Sequence, residues 1–436
     1  MKYKASNYNL YFDLENNEKL IYNSFTGAVT KLSSGEVEDV LHVIHGVKSD
    51  SEMESILVQQ GHIIDVNFNE YESILNHRQS SISQTEVIDI ILLASMNCNF
   101  KCPYCYEKRR DSNMSVEICN RAIKYILNEC KKYKYVRLSW FGGEPTLNVN
   151  AILMVNSTVM QHIRQTNCTI ETNITTNGYL LNNDLIAKFV NVGITHYMIT
   201  VDGLESDHNS TRILFNGEGT YEKIISNIKK ILEYPSTEVT VRINFNSNNA
   251  KNLTPLFEEF EKSIRKRITI VIEPIFGSDD ISANGTMNNA DVTRFMIETY
   301  SIARKMGFAT SSSDISISPR QSTYCYAERI GEIVISPEGD LFKCSVQNFE
   351  CKDRVGHIDE NGILVFNEKY DEWMKMGFDF PDICKQCIHL PTCLGGCRKN
   401  MQIPLYSGKS TCAQIEINRT RVIKKLINMG YSIINS

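Results

Sequence analysis

Three closely spaced cysteines are the residues of this sequence that most directly predict chemistry. Cys98, Cys102 and Cys105 lie in SMNCNFKCPYCYEKRR (95–110), with three and then two residues between them. A structural zinc site usually uses four protein ligands, whereas a catalytic metal site keeps one position open. Three thiolates on one loop are therefore expected to hold three irons of a four-iron cluster, with the fourth iron open to a small molecule. A zinc knuckle with a remote fourth ligand is the alternative.

Polar and glycine-rich loops follow several predicted strands. FGGEP (141–145) follows the second strand, and its glycines allow the backbone to approach a ligand closely. TTNGYLL (175–181) and ITVDGLESDHNSTR (199–212) follow the third and fourth strands. The alternative interpretation is that these Asn-Gly and Asp-Gly pairs only form turns. The candidate ligand contacts in these loops and on the fifth strand are Gly142, Gly143, Glu144, Pro145, Asn177, Thr200 and Arg242, with Asp202 and Arg212 as supports.

A second group of cysteines occupies the last quarter of the chain. The cysteines of interest are Cys325, Cys344, Cys384, Cys387, Cys393, Cys397 and Cys412. A lone C-x2-C is commonly a zinc site, but seven cysteines in this order are far more specific. Cys119, Cys130 and Cys168 lie in apolar contexts and are predicted to be buried structural residues.

Alternating strand and helix patterns must position the loops. Six strands are predicted, at 87–95, 135–141, 169–176, 195–201, 239–245 and 268–275. Crossover helices between them imply a parallel sheet, for which a partial (β/α)6 barrel is preferred and a doubly wound open sheet is the alternative. In both architectures the chemistry belongs at the carboxyl ends of the strands, where the cysteine trio falls.

The chain is predicted to have three parts. Residues 1–84 read as short strands followed by helices, which predicts a winged-helix-like domain with helix N-caps at Ser33, Ser34 and Ser49. Residues 85–305 form the α/β part, and residues 306–436 form a cysteine-rich part that begins in a loop-rich boundary.

Composition excludes several classes of protein. The 436 residues are 42% hydrophobic with a formal net charge of −5, which suits a globular protein and argues against a dedicated nucleic-acid binder. No apolar run is long enough to span a membrane, and the first residues lack a secretory signal. Fourteen cysteines without such a signal indicate metal or redox chemistry in a reducing cytoplasm.

The motifs at 98–105 and 141–145 resemble those of the radical S-adenosylmethionine (SAM) superfamily. That resemblance implies that Cys98, Cys102 and Cys105 hold a [4Fe-4S] cluster whose open iron chelates SAM. One electron then cleaves SAM to methionine and a 5′-deoxyadenosyl radical. It further implies that Tyr104 packs against the adenine, that Gly142 to Pro145 bind the SAM ammonium, and that Asn177 and Thr200 contact the ribose. Arg242 is expected to meet either the SAM carboxylate or a core acid.

The C-terminal cysteines resemble the SPASM extension of radical SAM enzymes, which carries two auxiliary [4Fe-4S] clusters. The resemblance implies an outer cluster on Cys384, Cys387, Cys393 and Cys412. It implies an inner cluster on Cys325, Cys344 and Cys397. The inner cluster is one ligand short, so either Cys351 supplies it or the position is open for a substrate. The chain is thus expected to carry three clusters in all.

Auxiliary clusters suit a net two-electron oxidation, because they can accept the electron released when a substrate radical closes a new bond. Residues 1–84 look like the precursor-recognition element of maturases of ribosomally made peptides, which bind a leader peptide as an added strand. The chain is therefore expected to form a thioether or carbon–carbon crosslink in a leader-bearing precursor peptide, with flavodoxin or ferredoxin as external reductant and neither nucleic acid nor membrane as partner.

Two alternatives stay open at this point. An anaerobic sulfatase maturase, which makes formylglycine, resembles the chain through both cysteine sets. A non-enzymatic iron–sulfur electron carrier is the other, and the SAM-type loops argue against it. The sequence identifies no general base.

Overall fold

The computed structural model describes most of the chain. The described residues are 2–83, 86–163, 166–275, 287, 289–310, 325–376, 378, 380, 382–401, 419, 422, 423, 425, 426, 429, 431 and 433–435. The chain divides into two compact units, each built from separate segments. The first unit contains 1–84, 312–330 and 373–436, and the second contains 85–311 and 331–372.

The strands of the described residues are numbered along the chain. They are β1 (Tyr3–Ala5), β2 (Asn9–Leu14), β3 (Lys19–Asn23), β4 (Val29–Leu32), β5 (Ile63–Asp65), β6 (Val87–Ser95), β7 (Tyr135–Gly142), β8 (Thr169–Thr176), β9 (Ile194–Thr200), β10 (Glu238–Phe245), β11 (Ile268–Pro274), β12 (Ala309–Thr310), β13 (Glu332–Ile335), β14 (Asp340–Phe342), β15 (Gly356–Ile358), β16 (Leu364–Phe366) and β17 (Ile433–Asn435).

The α-helices of the same residues are numbered in the same way. They are α1 (Val37–Ile44), α2 (Ser51–Gln60), α3 (Glu70–Ser83), α4 (Val116–Glu129), α5 (Val149–Ile163), α6 (Asn183–Asn191), α7 (Glu205–Thr211), α8 (Tyr221–Ile231), α9 (Thr254–Glu258), α10 (Asn289–Lys305), α11 (Glu368–Lys375), α12 (Asp382–Lys385), α13 (Leu390–Cys393) and α14 (Arg398–Met401).

The second unit is built on one large sheet. Strands β6 to β11 lie side by side in chain order, and each pairs with its neighbour in parallel. A doubly wound sheet would reverse its strand order at a switch point, so that alternative is excluded. The predicted α/β fold with a mostly parallel sheet is confirmed, and the consecutive order is the one that a partial barrel requires.

Along these strands fully buried residues alternate with half-buried ones, so the sheet has two different faces. Ile90, Leu138 and Ile199 are fully buried and belong to the core that includes residues of the crossover helices. The residues between them, such as Thr175 and Arg242, point to the opposite face and are half-buried. A period of two with apolar residues on one face is typical of a sheet covered by helices on one side only.

Four more strands extend this sheet beyond β6. β13 pairs in parallel with β6, and β14, β15 and β16 follow as an antiparallel meander. The hairpin of β13 and β14 buries Val334 and Phe342 against Leu93 and Met96. The segment that follows β14 is thereby packed on the strand that precedes the cysteine trio.

The first unit contains an antiparallel sheet in the order β17-β2-β3-β4. A separate pair, β1 and β5, is also antiparallel. Helices α1 and α2 supply Val40, Val43 and Leu57 to a core that also contains Ile21 of β3 and Leu32 of β4. Two further cores join the N-terminal segment to C-terminal residues: Phe12 packs in one with Val422 and Leu426, and Phe25 and Ile74 pack in the other with Phe380 and Leu390.

The predicted N-caps in this unit are wrong. Helix α2 is capped by Asp50 rather than Ser49, because the Asp50 carboxylate accepts two backbone N–H groups of the first turn at 3.1 Å. Helix α1 follows Glu36 without a side-chain cap, and Ser33 donates to the Glu36 carboxylate instead of capping the helix. Aspartate caps a helix as well as serine does, so adjacent candidates cannot be ranked from sequence.

The second unit's strands match the sequence prediction closely, and the strands at 87–95 and 169–176 have the predicted bounds. The loop-rich boundary at 311–323 lies outside the described residues. None of the helices in the described part of the chain has the length and apolar character needed to cross a membrane.

Candidate functional site

The cysteine trio lies on the loop between β6 and α4. Lys101 N–H donates to the carbonyl of Ile213 at 3.1 Å, and Phe100 forms an isolated bridge with Leu214. The Phe100 side chain is buried and makes an edge contact with the ring of Tyr179. These contacts fix the middle of the loop against the segments that follow β8 and β9.

The three thiols lie close enough to influence one another. Burial raises the pKa of Cys98 to about 12, and Glu144, Cys102 and Cys105 add to the rise. Burial also raises the pKa of Cys102 and of Cys105, against the opposing effect of the Arg212 charge. A bound cluster would reverse this tendency, since metal ions favour the thiolate form. Three sulfur donors on one loop supply the kind of ligand that a [4Fe-4S] cluster requires.

No three His, Cys, Asp or Glu side chains of the described residues stand where they would hold a single metal ion. The fit of the loop to a cluster therefore rests on its donors and on its position in the sheet.

The Gly-Gly-Glu loop is joined to the cysteine loop through its backbone. Gly143 N–H donates to Ser95 O at 3.0 Å, and Glu144 N–H donates to Asn97 O at 2.8 Å. A Cβ atom on Gly143 would lie 2.5 Å from Asn97 O, so only glycine fits there. The end of β7 thus lies directly against the residues that precede Cys98.

Glu144 is the polar centre of this junction. Its side chain is 0% exposed, and its carboxylate accepts hydrogen bonds from the backbone and hydroxyl of Thr146, from Thr176 Oγ1 at 2.6 Å and from Asn177 N–H at 2.7 Å. Burial raises the pKa of Glu144, and these hydrogen bonds oppose the rise. The carboxylate connects the loops after β7 and β8.

Asn177 extends the same network toward the cysteine loop. Its Nδ2 donates to Asn99 Oδ1 at 2.7 Å, and its Oδ1 accepts from Tyr179 N–H at 3.0 Å. The Asn99 Nδ2 atom is buried and has no hydrogen-bond partner among the described residues. An amide donor between Cys98 and Cys102 is therefore available to an acceptor that is not part of the chain.

Tyr104 is held by two buried, oppositely charged side chains. Its hydroxyl donates to Asp202 Oδ2 and accepts from Arg212 Nη1 at 2.8 Å. Asp202 is 1% exposed, and its Oδ1 accepts from Asn244 N–H at 3.1 Å. Burial raises the pKa of the Asp202 carboxyl, and the Arg212 charge opposes the rise. The triad of Tyr104, Asp202 and Arg212 ties the cysteine loop to the ends of β9 and β10.

Thr200 and Arg242 occupy the same level of neighbouring strands. They are register partners on β9 and β10, and Thr200 is buried. Arg242 Nε donates to Asn244 Oδ1 at 2.9 Å, and the Arg242 charge is one of the smaller effects that oppose the burial-driven rise in the pKa of Asp202. The Arg242 side chain is therefore oriented by Asn244 of the same strand, and the core acid near it is Asp202.

Glu107 is an acid that the sequence did not single out. It is 9% exposed, and burial raises its pKa to about 8. Asn99, Thr176 and Asn244 were missed as well. The only sequence signal for them is their place beside a cysteine or at a strand end.

The C-terminal cysteines divide between the two units. In the first unit, Cys384 and Cys393 are buried, while Cys325, Cys387 and Cys397 are half-buried. In the second unit, Cys344 is buried after β14 and Cys351 is exposed at the start of a 3-10 turn. Cys412 lies outside the described residues. Cys119, Cys130 and Cys168 are buried, as predicted.

Two curated relatives align with most of the chain. A cysteine-type anaerobic sulfatase-maturating enzyme of Clostridium novyi is 23% identical over 338 residues, which cover 72% of this chain and 88% of that protein. The radical SAM cyclopropyl synthase TigE of Paramaledivibacter caminithermalis is 23% identical over 451 residues, which cover 94% of this chain and 86% of TigE.

A solved structure shares the fold. The crystal structure of Streptococcus suis SuiB bound to its precursor peptide SuiA matches with a TM-score of 0.53 at 17% identity, and the match covers 92% of this chain and 97% of SuiB.

A family model described as the Radical SAM superfamily matches residues 93–246. This range begins in β6 and ends after β10, so it contains the cysteine trio, the Gly-Gly-Glu loop and the Tyr104 triad. Residues 93–246 therefore form a radical SAM domain.

Proposed function

We propose that this radical SAM enzyme is a peptide maturase that crosslinks a ribosomally made precursor peptide. The observation that carries the proposal is an antiparallel sheet with one open edge, built by the N-terminal segment of a chain that also carries a radical SAM domain. In the described residues β4 has β3 as a neighbour on one side and no strand on the other. An exposed strand edge can add an extended peptide through main-chain hydrogen bonds.

The cluster-binding residues of the radical SAM domain would be Cys98, Cys102 and Cys105. When bound, the cluster and SAM supply reductive cleavage of the sulfonium and hydrogen abstraction from the substrate. Tyr104 would contact the adenine while Asp202 and Arg212 fix its hydroxyl. Residues Gly142 to Pro145 would hold the SAM ammonium.

The remaining SAM contacts are proposed from the same geometry. Asn177 would approach the ribose together with the buried Asn99 Nδ2, which lacks a partner among the described residues. Thr200 and Arg242 lie at one level of the sheet, so they would meet the ribose and the carboxylate, respectively. Because Glu144 already accepts four hydrogen bonds, its main part would be to hold Asn177 in place.

The C-terminal cysteines would hold two auxiliary clusters. The outer set is Cys384, Cys387, Cys393 and Cys412, and the inner set is Cys325, Cys344 and Cys397. Cys344 follows a hairpin that packs on β6, the strand that leads into the SAM-cluster loop. The inner set supplies only three ligands. Cys351 or a substrate thiolate would supply the fourth. An external flavodoxin or ferredoxin would supply electrons.

The relatives support a peptide as the substrate. The SuiB structure contains the precursor peptide SuiA. TigE, a radical SAM cyclopropyl synthase, aligns with 94% of this chain, so the alignment reaches well beyond the radical SAM domain. A fold shared over most of the chain with a structure that contains a precursor peptide fits a peptide substrate here.

The test uses the full chain, reconstituted anaerobically with iron and sulfide. Dithionite and SAM are expected to yield 5′-deoxyadenosine. A short peptide encoded beside the gene is expected to lose two hydrogens, with loss of one alkylatable thiol if a thioether forms and no change in thiols if a carbon–carbon bond forms. Cys98→Ala should abolish both products. Cys119→Ala removes a buried thiol elsewhere in the domain and should retain them.

Leader binding is tested by amide hydrogen exchange on the same protein. Adding the peptide should slow exchange in β4, residues 29–32, and should leave β16, residues 364–366, unchanged. β16 is a suitable internal control because it ends the sheet of the second unit in the described residues. Unchanged exchange in β4 alongside modified peptide would remove the recognition role from the N-terminal segment.

Anaerobic sulfatase maturation is the second candidate. The Clostridium novyi relative favours it, since 88% of that protein aligns with this chain. A cysteine peptide from a sulfatase would then become a formylglycine peptide, detectable as an aldehyde. Aldehyde formation there, together with no change in the neighbouring peptide, would replace the crosslinking proposal.

A further inference from the structure

One buried donor inside the cysteine loop lacks an acceptor. Asn99 lies directly after Cys98, and its Nδ2 atom is buried without a hydrogen-bond partner among the described residues. Buried polar groups in proteins are almost always hydrogen-bonded, because a donor without an acceptor is destabilising. The Asn99 amide is therefore expected to meet an acceptor that these residues do not supply.

Hydrogen bonds determine which end of the Asn99 amide is the unpaired one. Tyr179 N–H donates to Asn177 Oδ1 at 3.0 Å, so the other end of the Asn177 amide is its Nδ2. Asn177 Nδ2 in turn donates to Asn99 Oδ1 at 2.7 Å. Turning over either amide, or both, would place two donors against each other. The series of bonds that begins at a backbone N–H therefore leaves Nδ2 as the unpaired end of Asn99.

The loop after β7 holds this pair of amides in place. Asn177 is buried, and its backbone N–H donates to Glu144 Oε2 at 2.7 Å. Thr176, the residue before it, donates from Oγ1 to Glu144 Oε1 at 2.6 Å. Asn99 is therefore oriented through Asn177 by a fully buried carboxylate. A donor that is oriented in advance loses little on meeting its acceptor.

The backbone of the same residue lies beside the Cys98 sulfur. Phe100 N–H donates to Cys98 Sγ at 3.4 Å, and Asn99 is the residue between that donor and that acceptor. Cys102, the next ligand of the proposed cluster, is three residues after Asn99. Consecutive Cα atoms are only about 3.8 Å apart, so a cluster that joins Cys98 to Cys102 has Asn99 at its side.

We infer that Asn99 Nδ2 donates a hydrogen bond to a sulfur of the cluster held by Cys98, Cys102 and Cys105 and raises the reduction potential of that cluster. The inference rests on the proposed cluster. Hydrogen bonds to the sulfurs are among the features that set the potential of an iron–sulfur cluster. Reduction adds negative charge to the cluster, so an N–H donor stabilises the reduced form more than the oxidised form.

The two asparagines have different parts in this arrangement. Asn99 would touch the cluster, whereas Asn177 is a positioning residue that acts through Asn99. Nδ2 carries two N–H groups, so one remains for the cluster when the other meets the SAM ribose. A higher potential makes the cluster easier for an external flavodoxin or ferredoxin to reduce.

The experiment measures the potential of this cluster in the full chain, reconstituted anaerobically, by redox titration followed by electron paramagnetic resonance. The signal of the SAM cluster is identified by its change when SAM is added. Asn99→Leu removes the donor without adding a charge. Its reduction equilibrium is expected to fall by up to about tenfold, which moves the potential of a one-electron couple by up to about 59 mV in the negative direction.

A matched pair of variants controls for charge. Asn99→Asp keeps the acceptor for Asn177 Nδ2 but replaces the donor with an oxygen, so its potential should fall further. Asn97→Asp places the same charge on the other side of Cys98 and keeps the acceptor for Cys98 N–H, which lies 2.8 Å from Asn97 Oδ1. Asn97 is exposed, so water screens that charge and the potential should stay near the wild-type value.

A second measurement uses the wild type and decides the matter even if the variants do not retain iron. Electron–nuclear double resonance of protein labelled with ¹⁵N at the asparagine side-chain nitrogen should show a nitrogen coupled to the SAM cluster. Absence of that coupling, an unchanged potential in Asn99→Leu at full iron content, or equal shifts in Asn99→Asp and Asn97→Asp would overturn the inference. Wild-type protein without a SAM-sensitive cluster signal would instead refute the cluster itself and the proposed function with it.

Discussion

At the scale of single residues, the phenol of Tyr104 is the clearest case of a side chain fixed by distant partners. Its hydroxyl lies between Asp202 and Arg212, both of which are buried. The residue sits between Cys102 and Cys105, so whatever orients its ring also orients the loop that carries the thiols. A buried carboxylate and guanidinium that share one hydroxyl hold it more firmly than a neutral partner would.

Replacing Tyr104 with Phe should weaken SAM binding and destabilise the loop. The change removes a hydroxyl bonded to two charged groups, a loss of about 1.5–3 kcal/mol. Production of 5′-deoxyadenosine at limiting SAM is expected to fall by roughly one order of magnitude, with iron content retained. Tyr106→Phe is the matched control, because Tyr106 lies two residues on and is 41% exposed. Equal effects of the two variants would contradict the role of the triad.

A buried histidine makes the stability of the first unit depend on pH. His62 is fully buried, its Nδ1 is 2.9 Å from Asn9 Oδ1, and its Nε2 is 2.7 Å from Thr30 Oγ1. Burial lowers its pKa to about 4. Since the unfolded chain protonates His62 near pH 6.5, the unfolded state binds more protons between about pH 4 and 6.5.

The first unit should therefore lose stability as the pH falls through this window. The full contribution of His62 is present above about pH 6.5, and each pH unit below that costs up to about 1.4 kcal/mol. Thermal unfolding of the full chain at pH 5.5 and 7.5 measures the loss, with His62→Gln as the non-titrating reference. The wild type is expected to drop more than the variant on acidification, and parallel behaviour would exclude His62 as the source.

At the scale of elements, the site depends on how closely the end of β7 approaches the end of β6. Two backbone hydrogen bonds join residues 143 and 144 to residues 95 and 97. The space at Gly143 is too small for a Cβ, since Asn97 O and Met96 O would lie 2.5 and 2.9 Å away. Backbone atoms cannot rotate out of the way as side chains can, so the loop itself would have to move.

Gly143→Ala should therefore separate the cysteine loop from the Gly-Gly-Glu loop. The variant should then retain less iron in the presence of a chelator. Gly35→Ala is a suitable control, because a Cβ there meets nothing within 4 Å. The expected result is faster loss of iron to a chelator in Gly143→Ala and wild-type behaviour in Gly35→Ala. Retention of iron and of SAM binding in Gly143→Ala would show that the close approach is not required.

Local sequence patterns predicted the strands and helices well, because the pattern that indicates a strand or a helix lies within consecutive residues. The nearly continuous apolar segment VIDIILLAS (87–95) was enough to predict β6 with its observed bounds. The contacts that complete the site were not predictable in this way. Tyr104 reaches Asp202 across 98 positions and Arg212 across 108 positions. Those pairings follow from the order of strands in the sheet, and a single sequence contains no periodic signal for them.

The partners of Glu144 illustrate the same limit. Its place in the Gly-Gly-Glu motif predicts a contact with a ligand, but the structure directs its carboxylate to Thr146, Thr176 and Asn177. A motif identifies which residues matter near a site without specifying which of them face the ligand and which support it. The buried contacts of Glu328 with Arg78 and with Arg398 had no sequence signal either, since both arginines lie far from Glu328 along the chain.

At the scale of the whole chain, the N-terminal segment is not an appended module. The first unit combines 1–84 with 312–330 and 373–436. Strand β17 near the C-terminus pairs with β2, and Ser24 Oγ donates to Ile388 O at 2.7 Å. Phe25 and Ile74 share a core with Cys384 and Leu390. The residues that would recognise a leader therefore belong to the same unit as the cysteines proposed to hold the auxiliary clusters, with the exception of Cys344.

Deleting residues 1–84 should consequently abolish more than leader recognition. The deletion would expose the apolar side chains of two shared cores, each buried large side chain contributing about 1.5–3 kcal/mol. It would also remove Arg78, whose Nη2 lies 3.0 Å from the buried carboxylate of Glu328. The truncated chain is expected to lose the iron and sulfide of the C-terminal cysteines and to make less 5′-deoxyadenosine even without peptide.

Iron and sulfide analysis of the truncated and full chains measures this loss, with Lys4→Ala, an exposed change on β1, as the control for handling. The deletion therefore cannot separate a leader-dependent maturase from a sulfatase maturase, because both would lose cofactor. A truncated protein that keeps the full iron content and loses only peptide turnover would show instead that the N-terminal segment folds and acts independently.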